Sequence, residues 1–306
     1  MKWQEVGCLL KIEKLDRYAQ SHAMIPTPLL LPNNLLRVYF TSRDSNGIGR
    51  PRYTDFNPNS DFSIIEHSES YICEIGGPGT FDDNGSIVCS ITKMPNNEIY
   101  MYYAGFELSM KIRYRIFTGL AISKDGGRKF RRYSDVPILD RTNSETFFRG
   151  GPFVKKTNLG YEMYYVGGRD WIQLENSLKP VYSLKMTRSL DGINWGEPTE
   201  VFSPEDKSEH GFGRPFEFEW EERRFLYYSV RDSLSETYKL GYAEILNNEY
   251  IRKDAQFKLF SEGKLVENYD LMYASFFHIN NDLFMLFNKR EFGLDGIFLA
   301  KLIDLD

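Results

Sequence analysis

Three observations in the sequence predict an all-β fold, a five-bladed β-propeller with four-stranded antiparallel blades around a central channel. A strand–turn–strand pattern returns about five times at a period of roughly 60 residues, the mark of stacked or radial units. The second strand of most repeats is built around paired tyrosines, as in Tyr102-Tyr103, Tyr164-Tyr165 and Tyr227-Tyr228. Aromatic residues make up 15% of the chain, with 20 Tyr and 23 Phe, a load that suits pleated strands.

The elements follow in order. Residues 2–10 read as a short strand with Trp3, Val6 and Leu9 available for packing, able to complete the last blade. Residues 11–20 read as a helical turn or a loop. Residues 25–31, 36–42 and 52–56 then alternate with turns at Pro32-Asn33-Asn34 and around Gly47 and Gly49, a meander pattern. The second pass runs through residues 86–92, 98–105 and 119–123, and the third through 151–155, 161–166 and 182–189. The fourth runs through 214–218, 224–229 and 240–244, and the fifth through 274–278, 283–287 and 296–300. First strands therefore begin near residues 25, 86, 151, 214 and 274. No linker or composition shift divides residues 1–306, so one domain is expected. A β-sandwich with long loops is the competing architecture, and the regular spacing weighs against it. The turns Ser123-Lys124-Asp125-Gly126 and Ser189-Leu190-Asp191-Gly192 read as hairpin turns rather than sialidase-type Asp boxes.

Composition excludes several functions. The net charge of -5 and the lack of a long basic run argue against nucleic acid as a partner. No apolar run is long enough to insert in a membrane, and residues 1–5 lack a signal-peptide pattern, so a cytoplasmic protein is expected. Cys8, Cys73 and Cys89 suggest neither a disulfide framework nor a zinc knuckle. His22, His67, His210 and His278 show no metal-ligand spacing, and no cofactor is implied.

Blade geometry turns the repeat into a site. The start of strand one and the end of strand two lie on the same face of the disc. Ahead of the first strands stand His22, Asp82 with Asp83, Glu145, Glu209 with His210, and Asp270. At the ends of the second strands stand Arg43-Asp44, Arg169-Asp170, Arg231-Asp232 and Arg290-Glu291, with Glu107 in the second blade. Each group also has a purely structural reading. Arg–Asp pairs can bridge blades, Asp82 or Asp83 can cap the turn before Gly85, and His22 can cap a loop. The paired tyrosines read as blade packing and Cys89 as a small core residue.

A strand-leading acid, a Tyr-rich second strand and an Ala-x-Ser-x-Asp-Gly third strand together resemble the five-bladed propeller glycosidase superfamily. That group includes the family-43 arabinanases and xylosidases, the invertases and levansucrases, and the family-130 mannoside phosphorylases. More narrowly, Ser21-His22-Ala23 with Pro26-Thr27-Pro28, Gly79-Thr80-Phe81-Asp82-Asp83 and Arg214-Pro215 resemble bacterial propellers associated with surface-polysaccharide genes. The resemblance implies attack at an anomeric carbon by two carboxyl groups, one protonating the leaving oxygen and the other activating water or attacking. Asp82 or Asp83 with Glu145 or Glu209 are the expected pair. His22 stands where these hydrolases carry an Asp, either as a base or as a sign that hydrolysis is lost. Residues 269–273 lack the additional Glu of closer relatives. Arg43, Arg149, Arg169, Asp170, His210, Arg214, Arg231 and Asp270 are the expected ligand-binding residues, for a carbohydrate or a sugar phosphate. The expected function is a carbohydrate-active enzyme acting on a glycosidic bond. The alternatives are a non-catalytic sugar-binding or assembly propeller, and a phosphorylase or transferase.

Overall fold

A computed structural model describes residues 1–12, 16–174, 177–204, 208–233 and 237–305, with 63% of the chain in strands and 3% in helix. The expected turn or loop at residues 11–20 falls partly outside the described residues; within it Asp16 and Ala19 form an isolated bridge. After β1 (Lys2–Leu10), strands follow in antiparallel groups. The first is β2 (Ser21–Leu30), β3 (Leu36–Arg43), β4 (Gly49–Asn57) and β5 (Ser63–His67). The second is β6 (Ser86–Lys93), β7 (Ile99–Leu108), β8 (Tyr114–Ser123) and β9 (Arg131–Arg132). The third is β10 (Phe148–Thr157), β11 (Gly160–Leu174), β12 (Ser177–Ser189) and β13 (Thr199–Phe202). The fourth is β14 (Glu209–Trp220), β15 (Arg223–Asp232), β16 (Tyr238–Leu246) and β17 (Glu249–Arg252). After the hairpin β18 (Lys258–Ser261) and β19 (Lys264–Val266) comes the last group, β20 (Leu271–Ile279), β21 (Asp282–Lys289) and β22 (Ile297–Asp304). The N-terminal β1 pairs antiparallel with β22, and β18 adds to β1 in parallel.

The paired tyrosines explain how the sheets stack. Successive residues on a strand point to opposite faces. Tyr103 therefore packs with Tyr39 and Tyr53 of the first group, while Tyr102 packs with Tyr161, Met163 and Tyr165 of the third. Likewise Tyr164 and Tyr228 share a core between the third and fourth groups. Tyr227 joins Trp3, Phe276 and Met285 in the core between the fourth group and the last. Leu36, Val38 and Phe40 of the first group meet Phe277, Phe284 and Leu286 of the last. Apolar burial thus lies between consecutive sheets, and each sheet is covered on both faces.

Polar side chains stitch neighbouring groups where the first strands run close together. Thr41 Oγ1 accepts from Val88 N at 3.0 Å, Ser90 Oγ accepts from Val154 N at 3.0 Å, and Ser229 Oγ accepts from Tyr273 N at 2.9 Å. Fully buried Asn288 accepts from Ile25 N at 2.9 Å and donates to Ala23 O and Gly296 O, each at 2.8 Å. Asn288→Ala leaves those buried groups unpaired, each at about 1–3 kcal/mol. With three groups left unpaired, a loss of at least about 3 kcal/mol in denaturant unfolding is expected, with the secondary structure unchanged.

Four of the five first strands start earlier than the sequence reading places them, β10 and β20 by three residues and β2 and β14 by four and five. β2 begins at Ser21 and β14 at Glu209, so His22, Glu209 and His210 lie inside their strands rather than ahead of them. The apolar runs used to place the starts begin later than the backbone pairing, because polar residues also fill the first rungs of each ladder.

Candidate functional site

Every first strand breaks its pairing register within its length, β2 and β14 having a further break near their starts. The breaks fall between Met24 and Thr27, Val88 and Ser90, Gly150 and Phe153, Gly213 and Phe216, and Met272 and Ser275. A β-bulge re-aims a side chain out of the strand's alternation. The first residue within each of these five bulges, Ile25, Cys89, Gly151, Arg214 or Tyr273, lines one cavity of about 430 Å³. Ile25, Gly151, Arg214 and Tyr273 have φ of 54°, 63°, 46° and 60°. For a β-branched residue such as Ile25 this is a strained conformation, costing on the order of 1–3 kcal/mol and retained where the surroundings over-determine it.

The remaining wall is cationic and aromatic. Arg43, Arg113, Arg214 and Arg231 line it together with Tyr114, Tyr182, Tyr238 and Phe292. No Asp or Glu lines it among the described residues. Arg231 Nε donates to Tyr238 Oη at 2.6 Å, and its guanidinium lies 5.2 Å from the Tyr182 ring. Tyr114 and Tyr182 hydroxyls are 3.0 Å apart. Arg43 stands 6.0 Å from the Phe292 ring, and burial lowers its pKa. Arg214 is only 3% exposed. It donates to the carbonyls of Cys89 and Pro26 and to Thr27 Oγ1, which ties three first strands together. Its Nε is buried without a partner. Burial lowers its pKa to about 10, so it stays cationic at neutral pH. Cys89 is buried with its thiol pushed up to about 11, which removes it as a nucleophile.

These four arginines share a second property: among the described residues none has a carboxylate within salt-bridge distance, whereas Arg37, Arg52, Arg132, Arg149 and Arg252 all have one. Of the four, Arg214 is buried, Arg43 and Arg231 are half-buried and Arg113 is exposed, so the cost of an uncompensated cation, which an anionic ligand would relieve, falls mainly on the first three.

The acids picked out from the sequence lie elsewhere. Asp82 is fully buried, held by Arg132 at 2.7 and 2.8 Å and by the Tyr103 hydroxyl at 2.8 Å. Gly105 makes room for it, since a Cβ there would lie 2.7 Å from Asp82 Cβ. Glu145 repeats the arrangement, with Arg149 at 2.9 Å, Lys185 at 3.2 Å, the Tyr165 hydroxyl at 3.0 Å and Gly167 beneath it. Glu209 pairs with Arg252 at 2.7 Å. Asp83 accepts from Gly79 N and borders a separate open groove with Glu107. None of these carboxylates lines the cavity.

The other expected site residues are distributed as follows. Arg43, Arg214 and Arg231 line the cavity. Arg149 serves Glu145 and the Asp140 carbonyl, and Arg169 and Asp170 are exposed, 3.9 Å apart. Asp270 accepts from Glu291 N at 3.4 Å, with its pKa raised by burial. His210 borders a smaller side cavity, its Nδ1 3.0 Å from Pro180 O. His22 is buried beside Ser21, and burial together with Arg43 lowers its pKa to about 4.

A histidine depressed in the folded state binds its proton more readily when unfolded. His22 therefore contributes stability above pH 6.5 that is lost as pH falls through about 4. His22→Gln should flatten the acid limb of a stability–pH curve between those values, and a parallel curve would remove His22 as its source.

Sequence reasoning missed Arg113, Tyr114, Tyr182, Tyr238 and Tyr273. A signal was present: the residues directly before proline in β2, β10 and β14 are Ile25, Gly151 and Arg214, all in the cavity wall. The residues three to six positions earlier, the strand leaders His22, Glu145 and Glu209, are not. Among the described residues no group of three or more His, Cys, Asp or Glu is placed to hold a metal ion.

No family model matches the chain. Two uncharacterised proteins from strains of Mycobacterium tuberculosis are each 24% identical over 201 residues, 66% of this chain and 66% of theirs. The match thus spans just under two thirds of those relatives. Among solved structures, a thermostable family-43 glycoside hydrolase superposes with a TM-score of 0.64 at 16% identity, over 94% of this chain and 92% of that one. An endo-arabinase from Bacteroides thetaiotaomicron gives 0.66 at 11% identity, over 95% and 99%. A family-32 β-fructofuranosidase from Bombyx mori gives 0.63 at 13% identity, over 95% and 63%. At these identities the likeness establishes the fold alone: the chain has the architecture of the glycoside hydrolase propellers.

Proposed function

We propose that residues 1–306 form one closed five-bladed propeller whose funnel binds a carbohydrate carrying an anionic group, without hydrolysing it. The blade count rests on the five bulged first strands that meet around one cavity. Closure is supported by β1 pairing with β22 and by Asn288 reaching from the last group into β2.

The observation that carries the binding reading is the chemistry of the five bulge positions. Ile25, Cys89, Gly151, Arg214 and Tyr273 supply a guanidinium and a phenol to the funnel, and no carboxyl group. Glycoside hydrolysis ordinarily needs two carboxyls facing the scissile bond. The chain's candidate acids are instead engaged by Arg132, by Arg149 with Lys185, and by Arg252. Arginines without acidic partners suit carboxylate or phosphate oxygens, and tyrosines and Phe292 supply apolar faces with hydroxyls at their edges for a sugar.

The test is turnover. A panel of aryl glycosides and oligosaccharides should give no product above the buffer rate with wild-type protein. Product formation that disappears in Glu145→Gln or Glu209→Gln, with the variants folded, would overturn the reading in favour of hydrolysis.

A further inference from the structure

We propose that the small cavity beside the funnel is a phosphoryl subsite, which takes the phosphate of a phosphorylated sugar whose ring lies in the funnel. This rests on the binding reading above and names its ligand class. The side cavity measures about 80 Å³, against about 430 Å³ for the funnel, which makes it the place for the smaller part of a ligand. It opens onto the funnel through Arg113, Tyr114, Arg231, Tyr238 and Phe292, which line both. A ligand spanning the two would have its ring among the tyrosines and its charged group between the two arginines.

The donors converge from different parts of the fold. Arg113 comes from the connection between β7 and β8, Arg231 from the end of β15 and Trp171 from β11. Arg113 and Arg231 have no carboxylate partner among the described residues. Among the described residues Arg231 donates through Nε alone, to Tyr238, which leaves both terminal nitrogens to a ligand. Trp171 Nε1 is buried without a partner, and an indole N–H can only donate, so its missing partner must be an acceptor. Lys179 and His210 also border the cavity, and no Asp or Glu does among the described residues.

Charge selects among anions. A phosphate monoester carries about -1.5 to -2 at neutral pH and three acceptor oxygens. That matches two guanidiniums and an indole N–H, whereas a carboxylate brings one charge and two oxygens.

Calorimetric titration of the full-length protein in a phosphate-free buffer tests this. The probes are inorganic phosphate, glucose 1-phosphate, glucuronate and methyl glucoside. Phosphate and glucose 1-phosphate should bind at millimolar concentration or below. Arg113→Gln should weaken both at least tenfold. Trp171→Phe, which keeps the ring against Phe148, should also weaken both, with an unchanged melting temperature. Glucuronate binding should respond less to either change and more to Arg43→Ala, because Arg43 lies in the funnel only. Phosphate affinity equal to wild type in both variants, or no phosphate binding while glucuronate binds through Arg43, overturns the subsite and leaves the funnel reading intact. No binding of any charged probe overturns both.

Discussion

Asp82→Ala is expected to destabilise the protein by about 3–5 kcal/mol, the cost of stranding one half of a buried ion pair. Asp82 is fully buried, and Arg132 is 15% exposed at its side chain. Removing the carboxylate leaves the guanidinium only the exposed Asp135, at 2.8 Å, and the Tyr103 hydroxyl without its acceptor. The pair joins the connection ahead of β6 to β9, the outermost strand of its sheet, so the loss should loosen that edge first. Urea unfolding measures the cost. A double variant, Asp82→Ala with Arg132→Met, should recover part of it, because no stranded charge remains. An Asp82→Ala protein as stable as wild type would contradict the structural assignment and restore Asp82 as a candidate for chemistry.

The second large effect concerns the funnel. Arg231→Ala should weaken an anionic carbohydrate ligand by about 10- to 100-fold, the 1.5–3 kcal/mol typical of hydrogen bonds to a charged group. Its guanidinium has Tyr238 and Tyr182 as neighbours and no competing carboxylate among the described residues. Arg231→Lys should recover only part of the loss, since an ammonium cannot present the planar fork. Equilibrium titration gives both numbers. Equal affinities for wild type and Arg231→Ala would place the ligand away from this wall.

The fold was legible because its signals are periodic. Tyr-Tyr at the centre of three second strands follows from a sheet covered on both faces, one tyrosine for each neighbouring sheet. The strand order follows from such patterns, whereas the attachment of residues 2–10 to the last group, open as an option in the sequence, is seen in the pairing of β1 with β22. The site was legible only in part. Arg43 and Arg231 were found from their places at strand ends, and Arg214 from the resemblance carried by Arg214-Pro215. The acids were chosen because two carboxylates next to a buried strand are conspicuous. Burial next to Arg132, Arg149, Lys185 and Arg252 accounts for them, and those partners are 50, 4, 40 and 43 residues away in sequence. Which side chain a bulge turns toward the funnel depends on a one-residue shift in register, and hydropathy alone does not record it. Gly105 and Gly167 show the same limit: their role, making room for Asp82 and Glu145, appears only once the strands are paired.

The account's central claim, an arginine-lined funnel that holds an anionic carbohydrate, is tested most directly by a matched-pair titration. Two oligosaccharides identical except for one charged group, a phosphate or a uronate carboxylate, are titrated into wild-type protein at low and at physiological salt. The account predicts that the charged member binds at least tenfold more tightly at low salt, and that the advantage shrinks as salt screens the arginines. Equal affinity for the neutral member at both salt concentrations would contradict it.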